Sequence, residues 1–267
     1  MARSRRSTGV PGPAEDLRRE DETLETLLAE RGVILQKRRG YRFSLDAVVL
    51  ADFVACLQGG RKPGSGDRCL DLGTGSGIIL VLLGKWSRTL SGYGVEIQES
   101  LADMADRNLR LHGLEERFEI LCMNLKDLPS RFPRASFDWI TTNPPYRRLD
   151  TGRLNPDPEK ALARHEVTAS LRDICRVMAH LLRSKGRSFL VYPASRFAGL
   201  AVQLRSVGLE PKTVRPVYPK PNEKACWVLV EAVRDGREEL AIEPPLFVEE
   251  EAGGYTEEIK GIFRWDF

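Results

Sequence analysis

The sequence predicts an α/β fold built on a mostly parallel sheet whose last strand runs antiparallel. Three observations carry that prediction. From Asp67 onward, short apolar runs alternate with longer segments of helical period, the pattern of βαβ units. The first run, "RCLDL", ends in a glycine-rich turn, "GTGSG", which opens an apolar helix. The final two runs, near 209–217 and 225–233, are separated only by "YPKPNEKA". That is too short for a crossover helix, so the two form an antiparallel pair at one edge.

The elements follow in order. Residues 1–20 read as a disordered tail, small and basic with Gly and Pro. The opening "MARSRRSTGVPGPAED" has no apolar stretch of the secretory kind. Residues 14–30 carry Leu17, Leu24, Leu27 and Leu28 at helical spacing and predict a short helix. "GVILQKRRGYRFS" reads as an extended pair turning at Lys37–Gly40. "SLDAVVLADFVACL" predicts a helix with Ser44 at its N-cap, and "GGRKPGSG" is a loop. Together 21–66 form an N-terminal extension that packs on the fold. The main domain, 67–234, predicts strands at 68–72, 91–95, 117–122, 136–141 and 186–191. Its helices fall at 76–86, 98–112, 169–183 and 195–206. Residues 235–267 form an acidic tail interrupted by Pro and Gly, expected to be loosely attached.

Composition narrows the function classes. Over 267 residues, 42% are hydrophobic and 30% charged, enough for an ordinary core. No apolar run approaches the roughly 18 residues that span a bilayer, so no membrane role and a cytoplasmic location are expected. The five cysteines, Cys56, Cys69, Cys122, Cys175 and Cys226, lack metal-ligand spacing. Four sit in apolar runs that read as core, which fits a reducing compartment. The net charge of +3 hides an asymmetry: residues 235–267 hold ten Asp/Glu against three Lys/Arg, while the remainder is basic. A basic body suits a polyanionic partner.

Chemistry begins at "CLDLGTGSGIILVLLG". Gly73, Gly75 and Gly77, with Thr74 between the first two, allow a sharp turn and close approach of a ligand. A dinucleotide site would show G-x-G-x-x-G with a pyrophosphate on the helix N-terminus. This chain has G-x-G-x-G behind Asp71. A carboxylate there repels a pyrophosphate and suits a cation, and S-adenosylmethionine brings a sulfonium and an ammonium. Glu96 ends the second strand, where a carboxylate accepts ribose hydroxyls. Asn124 follows the third strand, in position to meet an adenine edge. The ordered set resembles the Rossmann-like class I methyltransferase fold.

"FDWITTNPPYRR" closes the fourth strand on the same rim. Pro144 and Pro145 stiffen the loop and leave only carbonyls as backbone hydrogen-bonding groups. The Asn143 side-chain oxygen and a proline carbonyl then offer two acceptors to a planar amino group. Accepting both its hydrogens favours a pyramidal nitrogen, and this stabilisation grows as positive charge develops. Tyr146 offers a face for a stacked base. His165 and Glu166 read as a loop anchor, since the mechanism needs no strong base. Phe43 and Asp46 are candidates to close over the cofactor.

"NPPY" after such a turn resembles adenine-N6 methyltransferases of nucleic acids, glutamine-N5 methyltransferases of release factors and, with a variant, guanine-N2 methyltransferases of ribosomal RNA. The rest of the chain chooses among them. It resembles the bacterial tRNA adenine-N6 methyltransferases that modify valine tRNA at the purine 3′ to the anticodon. The likeness runs from about Gly32 to Arg234. It includes "YRFSLDAVVLADF", "GVEIQESLADMADRNLRLHGL", "NPPYRR" with "ARHEV", "LRDICRVMAHLLRSKGRSFLVYPASR" and "VYPKPNEKACWVLVEAVR". It departs at Asn124, where an Asp is common. The resemblance implies S-adenosylmethionine as cofactor and tRNA as partner. Three basic groups fit an RNA: Lys37, Arg38, Arg39 and Arg42; Arg147, Arg148, Arg153 and Arg164; Lys212, Arg215, Lys220 and Lys224. A glutamine-N5 protein methyltransferase, or another enzyme of the NPPY type acting on ribosomal RNA or DNA, is the alternative.

Overall fold

A computed structural model describes residues 13–27, 32–39, 42–56, 66–144 and 169–264. After a one-turn helix α1 (Pro13–Asp16) come β1 (Glu22–Thr26), β2 (Val33–Lys37) and helix α2 (Leu45–Cys56). The main unit follows as β3 (Arg68–Leu72), α3 (Ile78–Trp86), β4 (Ser91–Glu96), α4 (Glu99–Leu111), β5 (Phe118–Cys122), α5 (Leu128–Arg131) and β6 (Phe137–Thr142). Beyond the undescribed stretch lie α6 (Leu171–Leu181), β7 (Leu182–Pro193), α7 (Phe197–Ser206), β8 (Leu209–Tyr218) and β9 (Trp227–Arg234). The chain continues through β10 (Ala241–Ile242), β11 (Leu246–Phe247) and α8 (Glu257–Phe263).

Among the described residues the main sheet has nine strands, in the order β10-β8-β9-β7-β6-β3-β4-β5, with β11 also beside β8. The pairs β3–β4, β4–β5, β3–β6 and β6–β7 are parallel, and β9 runs antiparallel to both its neighbours. The expected antiparallel pair is present, but β9 is inserted between β7 and β8 and does not form the edge. The chain steps outward from β3 in one direction through β4 and β5, and in the other through β6 and β7. Such a switch point leaves a crevice beyond the carboxyl ends of β3 and β6.

Alternation along the strands splits the core. Cys69, Trp139 and Phe189 join the layer of α2, α3 and α8, whereas Leu70, Leu72, Phe137 and Ile140 join that of α5, α6 and α7. β6 is buried along its whole length, as a strand covered on both faces must be.

Several expectations are corrected. Among the described residues the helix expected over 14–30 is confined to α1 (Pro13–Asp16), and β1 pairs antiparallel with β2. Tertiary contacts override the leucine spacing: Leu24 and Leu35 pack against Leu101 and Met104 of α4. Glu22, fully enclosed, takes both Arg107 guanidinium nitrogens at 2.7 Å. The pair expected within "GVILQKRRGYRFS" is likewise replaced, since its first half pairs with β1; Gly40 and Tyr41 lie outside the described residues. The acidic segment is not loosely attached. β10 and β11 add in parallel to the edge strand β8, and Leu246, Ile259 and Ile262 are buried. An open edge offers unpaired backbone groups, and this one also offers cations that the acidic residues meet. Of the cysteines only Cys69 and Cys175 are buried, with Cys226 half-buried and Cys56 and Cys122 exposed, so fewer serve the core than expected. Of the tail expected over 1–20, residues 13–20 are held to the fold, with the Leu17 carbonyl accepting from Arg107 and Arg19 bound to Asp103, and 1–12 lie outside the described residues.

Candidate active site

The glycine turn sits between β3 and α3. Gly73, Gly75 and Gly77 have φ of 72°, 57° and 79°, a region that side chains with a Cβ rarely adopt. The N–H groups of Gly73 and Thr74 both donate to the Val95 carbonyl of β4 at 2.9 Å, which pins the turn over the neighbouring strand. The glycines differ in use. A Cβ on Gly73 would meet nothing within 4 Å, so space opens before it, whereas on Gly77 it would meet Ala105 of α4 at 3.2 Å. Gly77 therefore also serves the packing of α3 on α4. No side chain caps α3.

Asp71 is the last but one residue of β3 and is wholly buried. Its Oδ1 accepts the Thr141 hydroxyl at 2.7 Å, across the register that pairs Asp71 with Thr141. Its Oδ2 has no hydrogen-bond partner, and neither do the buried Thr74 Oγ1 and Ser76 Oγ. Burial pushes the Asp71 pKa up to about 6, against the Thr141 hydrogen bond that lowers it. The Thr74 hydroxyl also lowers it, from nearby and without reaching hydrogen-bond geometry. Glu96, ending β4, accepts from Gly75 N–H at 3.1 Å through Oε2 and from Gln98 N–H at 2.9 Å through Oε1. An ionised carboxylate has about four acceptor sites, so two hydroxyls can still be received. Asn124 is half-buried, and its Oδ1 caps a short 3₁₀ turn over 125–127 through Lys126 N–H at 3.0 Å. Asn143 and Pro144 follow directly on β6, half-buried and buried respectively. Asp71, Glu96, Asn124 and Asn143 thus stand at the carboxyl ends of β3, β4, β5 and β6, on one rim.

A profile of the methyltransferase-domain family matches residues 63–207, more than half of the chain. A tRNA1(Val) (adenine(37)-N6)-methyltransferase of Parabacteroides distasonis is 30% identical over 61% of this chain and 68% of its own length. The chain belongs to this methyltransferase family. The Porphyromonas gingivalis protein of the same name is 29% identical over 71% of this chain and 73% of its own. A structure described as a predicted O-methyltransferase from Agrobacterium tumefaciens superposes with a TM-score of 0.65. At 20% identity over 82% of this chain and 95% of that one, it shows the fold.

Members of this methyltransferase family use S-adenosylmethionine, and the residues present fit it. Three buried oxygens without partners, one of them on a carboxylate, face a turn with open space at Gly73. That donor set suits a cation bearing N–H groups. Two features of this methyltransferase escaped the sequence reading. Thr141 and Thr142 end a wholly buried strand with hydroxyls, Thr142 donating to the Leu72 carbonyl at 2.9 Å. Asn108 occupies a position on α4 where the spacing from Leu101, Met104 and Ala105 calls for an apolar residue. It takes Leu35 N–H at 2.8 Å and donates to the carbonyls of Leu35 and Ser76 at 3.1 and 2.8 Å. A polar residue at an apolar helical position is the signal for such a tie.

The remaining expectations separate. At the start of α2 the Ser44 hydroxyl donates and does not cap: Asp46 Oδ1 takes both that hydroxyl at 2.6 Å and the Ala47 N–H at 2.8 Å, while the Ser44 carbonyl also accepts from Ala47 N–H at 3.2 Å. Phe43 packs on the α2–α3 core and donates its N–H to Gln36. Pro145, Tyr146, Arg147, Arg148, Arg153, Arg164, His165 and Glu166 lie outside the described residues. Two basic groups assigned to RNA are largely engaged within the protein. Lys37 binds Asp21 at 2.8 Å and Glu22 at 3.3 Å, and Arg42 binds Glu25. Arg215 pairs with Glu258, Lys220 with Glu249, and Lys212 reaches the carbonyls of Arg237 and Glu238.

Proposed function

We propose that this chain transfers a methyl group from S-adenosylmethionine to the N6 amino group of an adenine in tRNA, at the purine 3′ to the anticodon of a valine tRNA. The observation that carries the reading is the switch point between β3 and β6, which sets Asp71 near the end of β3 and Asn143 just past the end of its parallel neighbour β6. Asp71 and the turn Gly73, Thr74, Gly75 and Gly77 hold the amino-acid end of the cofactor. Glu96 takes the ribose hydroxyls and Asn124 meets the adenine edge. When bound, the cofactor supplies an electrophilic methyl on a sulfonium.

The chain's own residues position and polarise the acceptor. The Asn143 side-chain oxygen and the Pro144 carbonyl accept the two hydrogens of the target amino group. That pair stabilises the charge developing on nitrogen, so it lowers the barrier more than it tightens ground-state binding. Pro145 keeps the loop stiff and Tyr146 stacks on the extruded base. The substrate is thus an unpaired base of an RNA loop, and the enzyme works where tRNA is found, in the cytoplasm. Among the described residues no helix is long and apolar enough to cross a membrane.

The test is nucleoside analysis after incubation with labelled cofactor and unmodified tRNA. N6-methyladenosine is expected. Label in protein, or in another base, sinks the reading. Asn143→Ala should lower kcat by roughly 100-fold or more while leaving cofactor affinity near that of the wild type. Full activity in that variant refutes the acceptor pair.

A further inference from the structure

β6 and β7 begin together, with Phe137 opposite Leu182. α6 ends at Leu181, so its last turn lies at that end of the sheet. Its 11 residues span about 16 Å at about 1.5 Å each, and the six of β6 span about 20 Å at about 3.3 Å each. The first turn of α6 therefore returns to the carboxyl rim, beside the point where Asn143 and Pro144 leave β6. The 3₁₀ turn over 125–127, capped by Asn124, packs against this same helix.

Three cations gather there. Arg172 and Arg176 are exposed and, four residues apart, share one face of α6. Lys126 is exposed on the neighbouring turn. None of the three makes an ion pair among the described residues, unlike Lys37, Arg42, Arg215 and Lys220. Ser170 and Asp173 already cap the helix reciprocally, at 3.2 Å from Asp173 N–H and 3.0 Å from Ser170 N–H. Lys126 and Arg176 lie close enough to Asp173 to help the Ser170 hydrogen bond hold its carboxyl below the usual range. Arg172 occupies the second helical position, where the macrodipole disfavours a cation. A residue that opposes the local helix electrostatics and pairs with nothing nearby is poorly explained by stability.

We infer that Lys126, Arg172 and Arg176 form a docking face for the phosphate backbone of the RNA strand that carries the target base. This rests on the proposed function for the identity of the polyanion. The face supplies affinity and orientation but reads no base. It is placed where a strand entering the Asn143 loop has to pass. The groups named from sequence near β2 and β8 are largely engaged within the protein, so this face contributes to the salt-dependent part of binding.

The experiment compares the wild type with the triple variant Lys126→Ala/Arg172→Ala/Arg176→Ala on transcribed valine tRNA. Binding is read as log affinity against log salt, alongside KM and kcat. Each lost phosphate contact should lower the slope by about 0.7–0.9, so the triple variant loses roughly 2–3 units of slope. Its KM for tRNA should rise roughly 10- to 100-fold near 0.15 M salt, with kcat at saturating RNA and affinity for S-adenosylhomocysteine unchanged. Arg172→Lys/Arg176→Lys should keep the slope, because a phosphate face needs charge. An unchanged slope and KM in the triple variant overturn the inference. So does an equal loss from Arg88→Ala, an exposed cation at the far end of the sheet. Wild-type binding without methylation would sink the proposed function and leave the face standing.

Discussion

Thr141→Val probes the contact between the strand holding the cofactor acid and the strand leading to Asn143. The change keeps the side-chain shape and removes the hydroxyl that donates to Asp71 Oδ1 at 2.7 Å. Asp71 is wholly buried with its other oxygen unpartnered, so its carboxylate would lose its one hydrogen bond with normal geometry. A hydrogen bond to a charged group contributes about 1.5–3 kcal/mol. At roughly 2–4 °C per kcal/mol, the apo protein should melt about 3–12 °C lower at pH 8. The sign with pH is fixed by Asp71. Its folded pKa of about 6 lies above the ordinary value of 3.8, so the folded chain binds the extra proton. The wild type therefore loses stability as pH rises from about 3.8 to about 6, by about 3 kcal/mol in all. Losing the Thr141 donor moves the pKa higher still and widens that window. Thermal unfolding followed by circular dichroism at pH 4.5 and pH 8 should show the larger deficit at pH 8. Thr142→Val, which removes a donor to the neutral Leu72 carbonyl, should cost about 1 kcal/mol at both pH values. Equal deficits for Thr141→Val at the two pH values would refute the coupling to Asp71.

Affinity for S-adenosylhomocysteine, measured by calorimetry, should strengthen as pH rises to about 6 and then level, because an ionised Asp71 suits the ligand's ammonium. Asp71→Asn should flatten that profile, and a flat wild-type profile would exclude the role. Asn108→Leu leaves the Leu35 N–H and the Ser76 carbonyl without their side-chain partner and should destabilise by about 3 kcal/mol. Faster hydrogen exchange at Leu35 checks that the hairpin has loosened. Arg107→Met leaves the buried Glu22 carboxylate with only Lys37 at 3.3 Å and the Arg19 N–H at 3.0 Å, a loss of about 3 kcal/mol at neutral pH. Burial opposes ionisation of Glu22, but Arg107 and other donors hold its pKa down at about 2. The wild type therefore loses that contribution as pH falls from about 4.5 towards 2, and the variant's deficit should shrink at pH 3.

The backbone features of the candidate site were more legible than the frame around it. Gly73 and Gly75 could be read because their backbone conformation demands glycine, and Asp71 and Glu96 because each ends a strand of clear pattern. β1 was not legible. Leu17, Leu24, Leu27 and Leu28 fit a helix locally, and what decides for a strand is a partner at 33–37 and an arginine 85 residues away. Likewise, the acidic composition of 235–264 says nothing of the β8 edge it covers, because strand order is a property of the whole sheet. Arg215 and Lys220 looked like RNA ligands for the same reason: their partners Glu258 and Glu249 are distant in sequence.

The threonines also fix the register between β3, which carries the proposed cofactor acid, and β6, which leads to the proposed acceptor Asn143. β3 and β6 are neighbours, so their carboxyl ends stand about 4.8 Å apart. A slip of β6 by one residue would carry Asn143 about 3.3 Å along the strand axis, where a misplacement of about 1 Å costs roughly 100-fold in rate. β6 is buried on both faces, so a one-residue slip exchanges no buried side chain for an exposed one and burial alone does not set the register. Two hydroxyl bonds at consecutive residues, Thr141 to Asp71 and Thr142 to the Leu72 carbonyl, exclude the slip, because any other register buries unpaired donors. They also tie that register to the carboxylate expected to hold the cofactor. One buried contact thereby tunes Asp71 and fixes where Asn143 leaves β6.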